Sequence, residues 1–510
     1  GYCPVQGCKS EKAYADECDL GHQFDPADLI KPTSSLTGCV PELRPVRNWY
    51  FDLPNFREQL GEIAENLEAD PEVRPVVSQT AKEFLVPPVI YIKNELEADY
   101  RAIESKLPAH EFHAAEGNKQ SFELEFANIE SRDAARDELT AAGIRFRTGK
   151  ALVPFRISGN VEWGVKVPEM EGVDDLTVWC WPESLWAPVS FSATALEARG
   201  EELSAVRDWW CSPDARVYQF IGQDNLYFYG VAQPALWMAL ENGNAEVAYP
   251  QPGDLQQTTL IANHHILFGK VKASSSGAVK PPSADQLLEH YTVDQLRAHW
   301  LGLGLDVKSV GFKPKPFEVD EAKRNDPRVA DPVLKEGALL TNVFNRLARS
   351  CFYEAQKNFE GFMPLGAPAA DVVARCHKAM AEYEAIMHKA ELHSVMTLMD
   401  DFIRWAQKHW ADGIKAAEGA DDADMRRQIL VDSFFTLRVA TLLMHPVAPD
   451  GCEKIVEHLG LPAERVFSWN APFEGMAELC DAADVEAGRH AIVELPPRTD
   501  FFAKHESQFK

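Results

Sequence analysis

The chain has 510 residues, 45% hydrophobic and 25% charged, an ordinary globular composition in a length too great for one core, so three or four domains are expected. Acidic residues outnumber basic ones by 78 to 51, a net charge of −27, which excludes a protein that coats nucleic acid nonspecifically but leaves room for a local surface directed at one RNA. No apolar run is long enough to cross a bilayer, and ten cysteines, four of them before residue 40, exclude a disulfide framework and suit a reducing, cytoplasmic compartment.

Residues 1–58 are dense in Cys, Pro and Gly and read as a small metal-stapled module. Cys3-x4-Cys8 and Cys18-x3-His22 supply four soft or borderline ligands on two short turns, the set that tetrahedral zinc requires. Gly7 and Gly21 each precede a ligand, as tight knuckle turns favour. Four ligands close the site, so the zinc is expected to be structural, and Cys39 is expected to be a small core residue. The module ends in the aromatic stretch Asn48-Trp49-Tyr50-Phe51-Asp52-Leu53-Pro54.

Residues 59–155 read as a separate α/β insert of unassigned role. Ser121–Phe126 alternates as a half-buried strand does, a helix is expected over Ser131–Ala142 with a Ser cap at its start and Gly143 at its end, and Ile144–Arg147 returns as a strand. Residues 156–330 mix strand-like and helical runs, with buried strands expected at Val217–Gly222 and Thr259–Phe268, as in the second half of a doubly wound sheet. From 331 to 465 the pattern is helical, with Leu340, Val343, Phe344, Leu347 and Phe352 on one face, and an all-α bundle is the economical reading. The tail, 466–510, carries no pattern of its own.

Two segments have the chemistry of a nucleotide site. Gly222, Gln223, Asp224 and Asn225 follow a strand-like run, and ligands of open α/β sheets bind at the carboxyl ends of strands. Gly222 permits close backbone approach, and Asp224 suits an ammonium or a ribose hydroxyl, although a simple strand-end turn has the same pattern. The loop Gly269–Gly277 holds Lys270, Lys272 and Ser274 between glycines and suits phosphates, although a solvated linker has the same composition.

In this order the segments resemble methionyl-tRNA synthetases of class I, from the zinc module to about Leu461 apart from the 59–155 insert. The resemblance rests on the knuckle Cys3–Pro26 with the 48–54 stretch, Glu162-Trp163-Gly164-Val165 with Pro168, and Phe220–Asp224 with Tyr227, Phe228, Pro234 and Ala235. It continues with Asn345 and Arg349, then Trp410, and ends with His445-Pro446-Val447-Ala448-Pro449 and Glu453-Lys454-Ile455. It implies an α/β fold: the second half of a Rossmann-like class I catalytic domain, a zinc-knuckle insert and an α-helical anticodon-binding bundle. It also implies ATP with Mg²⁺, methionine as the default amino acid, and tRNA. Asn345, Arg349 and Trp410 would read the anticodon. Trp179, Trp186, Gly222, Gln223, Asp224, Asn225, Tyr229 and Gln233 would line the ATP and amino-acid site, with Asp224, Lys270, Lys272 and Ser274 closest to the chemistry.

The chain departs from that family at three places. The HxGH signature that precedes the zinc module in the family does not occur, so the sequence is expected to be truncated ahead of Cys3. Val271 and Ser274 fall at the lysine positions of the KMSKS-like loop, with Lys270 and Lys272 one residue away. Tyr229 replaces a histidine, Gln233 an apolar or aromatic residue, and the 178–188 stretch carries an insertion. The leading expectation is a methionine–tRNA ligase. The alternatives are a catalytically weak paralogue that binds tRNA or acts as an interaction protein, and a paralogue activating another amino acid.

Overall fold

The computed structural model describes all residues except 5–7, 9, 11, 15–16, 19–25, 45, 118, 171, 174, 243–249, 269–270, 274–279, 471 and 510, and the side chains of 17, 242, 271 and 272. The chain divides into two compact units, Gly1–Asn263 and His264–Lys510.

The first unit opens with a short antiparallel pair, Ala13–Tyr14 with Glu17–Cys18. Cys39 is exposed, not the core residue expected; its N–H and thiol donate to Thr37 and its carbonyl accepts the Ser34 N–H at 2.8 Å. Two helices follow, Arg57–Ala69 and Pro75–Leu85, the second started by a proline in its first turn, where no backbone donor is needed. Their apolar faces, Leu60, Ile63 and Ala64 on one and Ala81 on the other, share a core with Leu185, Val231, Ala232 and Met238. Residues 57–85 thus pack with the segment beyond 155.

The remainder of the 59–155 stretch forms a four-stranded sheet with a core of its own, Ile90, Ile92, Phe122, Leu124, Phe126, Ala135 and Leu139 among others. In sheet order its strands are His110–His113, Ser121–Phe126, Val89–Lys93 and Phe146–Thr148, each antiparallel to its neighbour. Phe122, Leu124 and Phe126 point inward as their alternation requires. The helix runs Ile129–Ala141, and its cap is Asn128, whose side chain accepts the Ser131 N–H, rather than Ser131 itself. Val89–Lys93 lies between the two strands that this helix connects, so the expected β-α-β is a split one.

Tyr218–Gly222 pairs in parallel with Thr259–Asn263, Phe220 opposite Ile261. Val77, Leu226, Leu260 and Ala262 pack together in one cluster. The first of these strands is buried on one face only: Tyr218 is 55% and Phe220 60% exposed. The single strand expected over Thr259–Phe268 breaks at His264 and His265. Ile266–Phe268 belongs to the second unit, where it pairs in parallel with Val310–Gly311 and antiparallel with Val271–Lys272.

In the second unit, Ser283 with Gln286 and Thr292 with Gln295 form reciprocal capping boxes that start the helices Ala284–Leu288 and Val293–Gly302. The helices Asn345–Asn358, Ala370–His388, Leu392–Ala420, Ala423–Met444 and Pro449–Leu459 then build the expected bundle around one large apolar core. The tail is part of it: Phe473, Met476, Leu479, Leu495, Phe501 and Phe502 are buried in that core, and Arg489–Ala491 pairs with Phe362–Pro364.

Candidate functional site

The three described cysteines of the knuckle converge. The sulfurs of Cys3, Cys8 and Cys18 all lie within 4.8 Å of one another, and Cys8 Sγ is 3.8 Å from Cys18 Sγ. Tetrahedral thiolates at about 2.3 Å from zinc are spaced by roughly 3.8 Å, so the donor set and its spacing fit the ion. The Ser10 N–H points at Cys8 Sγ at 3.4 Å, the backbone bond that stabilises a ligand sulfur. His22, the fourth expected ligand, lies outside the described residues.

At the carboxyl end of Tyr218–Gly222 the chain turns through Gln223–Asn225. A β-carbon on Gly222 would stand 2.5 Å from Asp224 Oδ1, so glycine is required for the carboxylate to fold back over the strand end. The buried Arg74 reaches the neighbouring strand end, donating to the Ala262 carbonyl at 2.7 Å and to Asn263 Oδ1 at 2.8 Å. Sequence reasoning passed over Arg74, which sits before a proline with no motif around it.

Phe228–Ala232 is a π-helical turn, a feature that often marks functional sites. It presents aromatic side chains that sequence reasoning only partly found. Trp181 stacks on Phe228, and Phe155 meets Trp179, Tyr227 and Phe228 at 6.2 to 6.5 Å between ring centres. Burial pushes the Tyr227 hydroxyl up to about 12, so it stays protonated. Arg156 lies over the Trp179 ring at 4.8 Å. Trp186 belongs elsewhere, in a cluster with Trp210 and Trp237. Tyr229 lines a small cavity with Gly230, Trp237, Thr258 and Leu260. Gln233 borders it too, but is buried. Its amide donates to the Leu185 carbonyl at 2.9 Å and accepts from Gln219 at 3.4 Å, so it serves the core before any ligand. The signal missed was the second Trp of Trp179-Cys180-Trp181.

Lys270 and Ser274 lie outside the described residues, as does the Lys272 side chain; the Lys272 backbone is in the short strand Val271–Lys272. In the bundle, Asn345 is 2% exposed and fully hydrogen-bonded, Arg349 pairs with Asp500 at 2.9 Å, and Trp410 is buried in the core.

A parallel strand pair with a glycine turn at its carboxyl end, followed in sequence by a helical bundle, defines an α/β protein with a helical C-terminal region. Residues 1–92 and 125–318 match the family of class I tRNA synthetases (M), and the chain belongs to that family. It is 24% identical to a methionine–tRNA ligase of Korarchaeum cryptofilum over 91% of this chain and 66% of that protein. It is 26% identical to one of Chloroflexus aggregans, over 68% of this chain and 46% of that protein, and 23% identical to one of Thermobifida fusca, over the whole chain and 70% of that protein. The chain therefore spans between 46% and 70% of the length of these relatives. Among solved structures, Mycobacterium tuberculosis methionyl-tRNA synthetase in complex with methionyl-adenylate superposes with a TM-score of 0.50 at 21% identity, covering 81% of this chain and 67% of that one, a likeness of fold. Residues 93–124, between the two matched stretches, carry the helix Glu97–Ile103 and the strand His110–His113 of the four-stranded sheet, and residues 319–510 lie beyond the match.

Proposed function

We propose that the protein takes part in methionine–tRNA ligation: ATP-dependent activation of methionine to an adenylate, then transfer to the terminal ribose of tRNA. The observation that carries this reading is the family match over residues 1–92 and 125–318, which includes both the cysteine cluster and the Gly222 strand end. Cys3, Cys8 and Cys18, with His22, would hold zinc, which would supply a structural clamp for the knuckle. ATP brings Mg²⁺, which neutralises phosphate charge. The chain's own residues position the reactants: Asp224 takes the amino-acid ammonium, Gly222 and Gln223 offer backbone at close range, and Asn225 and Tyr229 border the amino acid. Trp179 and Trp181 wall it with Phe228. The resemblance assigns Lys270, Lys272 and Ser274 to phosphate charge, which develops as the carboxylate attacks. The bundle meets tRNA through Arg349, whose side chain is more than a third exposed, while Asn345 and Trp410, buried in the bundle, support the helices behind it.

The domains follow from this reading: 1–58 the knuckle, 156–330 the catalytic half, 331–465 the anticodon bundle and 466–510 its tail, with 59–155 divided between helices that support the catalytic half and an added sheet. Among the described residues, no helix is long and apolar enough to cross a membrane.

Methionine-dependent exchange of pyrophosphate into ATP by the intact gene product tests the proposal. Exchange with methionine alone among the amino acids is expected. Lack of exchange, together with lack of ATP binding, would remove the ligase reading and leave a tRNA-binding paralogue, which the substituted lysine positions Val271 and Ser274 favour.

A further inference from the structure

The helix Asn345–Asn358 grips a segment of the tail, 495–502, by its backbone. At one end, Asn345 Oδ1 accepts the Phe502 N–H at 2.9 Å while its Nδ2 donates to the Phe502 carbonyl at 2.8 Å. The second Nδ2 hydrogen goes to the Thr341 carbonyl at 3.0 Å. At the other end, Gln356 Oε1 accepts the Leu495 N–H at 3.1 Å and its Nε2 donates to the Leu495 carbonyl at 3.3 Å. Between them Tyr353 donates to the Pro496 carbonyl at 3.0 Å, and Arg349 meets Asp500 at 2.9 Å.

Positions 345, 349, 353 and 356 share one helix face, so that face is spent on residues 495–502. Each amide takes both backbone groups of one residue, the exchange a neighbouring strand would make. The Phe502 end is anchored firmly. Its ring stacks on Phe344 with centres 4.9 Å apart, and a β-carbon on Gly451 would stand 2.1 Å from it. The Arg349–Asp500 contact is different in kind: both side chains are more than a third exposed, so the pair opens at little cost.

We propose that residues 495–502 form an intramolecular strap that keeps Arg349 from RNA, and that tRNA gains Arg349 by displacing Asp500. This rests on the reading that Arg349 meets tRNA. The Asp500 carboxylate occupies the guanidinium as a phosphate would, and the amide donors of Asn345 are already used.

The test uses the full chain, its Asp500→Ala and Arg349→Ala variants, and the double variant, with a methionine tRNA transcript and fluorescence anisotropy at fixed low salt. Asp500→Ala is expected to tighten tRNA binding roughly two- to fivefold, the range of an exposed ion pair, and to leave the protection of the Phe502 amide against hydrogen exchange unchanged. On the Arg349→Ala background the same substitution is expected to give no gain. A gain that persists there is plain removal of negative charge and overturns the strap. Equal affinity for Asp500→Ala and the unaltered chain overturns the strap and leaves the tRNA reading standing. No tRNA binding by any of the four proteins overturns the tRNA reading and the strap with it.

Discussion

Trp181 lies face to face on Phe228, ring centres 3.9 Å apart and planes 7° apart. The first ring comes from the start of the helix Cys180–Ala198 and the second from the π-helical turn, so the stack ties together two segments 47 positions apart in the chain. Removing it with Trp181→Ala forfeits both the apolar burial and the ring-ring term, a loss of about 2 kcal/mol, read as a lower urea midpoint. A stack that also walls the amino-acid site adds a second effect. The KM for methionine in pyrophosphate exchange rises with kcat nearly constant, and Trp181→Phe recovers most of it. An unchanged KM would confine the stack to a structural role.

The knuckle makes a prediction about composition. One zinc per chain is expected by elemental mass spectrometry. Cys18→Ser is expected to remove it, since oxygen is a poor replacement for a buried thiolate among sulfurs. Undiminished zinc in that variant would place the ion elsewhere.

Asp294 gives stability a pH dependence. Its Oδ2 accepts the Gly451 N–H at 3.1 Å at the start of the helix Pro449–Leu459, while Oδ1 is buried with no partner among the described residues. Burial first, and the Asp450 charge, push its carboxyl up to about 6, against the opposing pull of the Gly451 and Asp450 backbone and of Lys454. The folded state therefore holds this proton more tightly than the unfolded one. The contribution of Asp294 to stability is greatest below the unfolded value, near 4, falls as pH rises towards 6, and levels off above it. Asp294→Asn keeps an acceptor for Gly451 without the charge. It is expected to be more stable than the unaltered chain by about 2 to 3 kcal/mol at pH 7.5 and equal to it below pH 4. A pH-independent difference in urea midpoint would show that Asp294 does not carry this linkage.

Patterns that depend on one face of one element were legible from sequence. Phe122, Leu124 and Phe126 alternate because their strand has one dry face, and Leu340, Phe344 and Leu347 repeat because their helix does. The convergence of Cys3, Cys8 and Cys18 was legible for the same local reason: cysteines spaced a few residues apart around turns leave their mark within a short stretch. Relations between distant segments left no such mark. Nothing near Arg74 announces its bonds to Ala262 and Asn263, nor does anything in 495–502, short of regular periodicity, announce that Asn345 and Gln356 hold its backbone. Gln233 looked like a polar replacement in a ligand pocket because its partner, the Leu185 carbonyl, is a backbone group that sequence does not display. The 59–155 boundary blurred because the helices before the sheet have ordinary amphipathic patterns, and only packing shows that they serve a different core.

The strand-end glycine separates chemistry from stability. Gly222 has an ordinary extended backbone, φ −76° and ψ 151°, so alanine there costs nothing in conformation. What it meets is Asp224, whose Oδ1 would lie 2.5 Å from the new β-carbon, and the short polar side chain must swing away. Asp224 is exposed, so it moves into water without leaving a cavity. Gly222→Ala is therefore expected to leave the urea midpoint within about 0.5 kcal/mol of the original, as for a surface change. Methionine-dependent pyrophosphate exchange is expected to fall by about tenfold or more, since a displacement of about 1 Å at a positioning group costs that much. Asp224→Ala should reproduce the loss, and adding it to Gly222→Ala should deepen it little, because both act through one carboxylate. Full exchange in Gly222→Ala would show that Asp224 does not hold the substrate, and the ammonium would then need a different partner at the strand end.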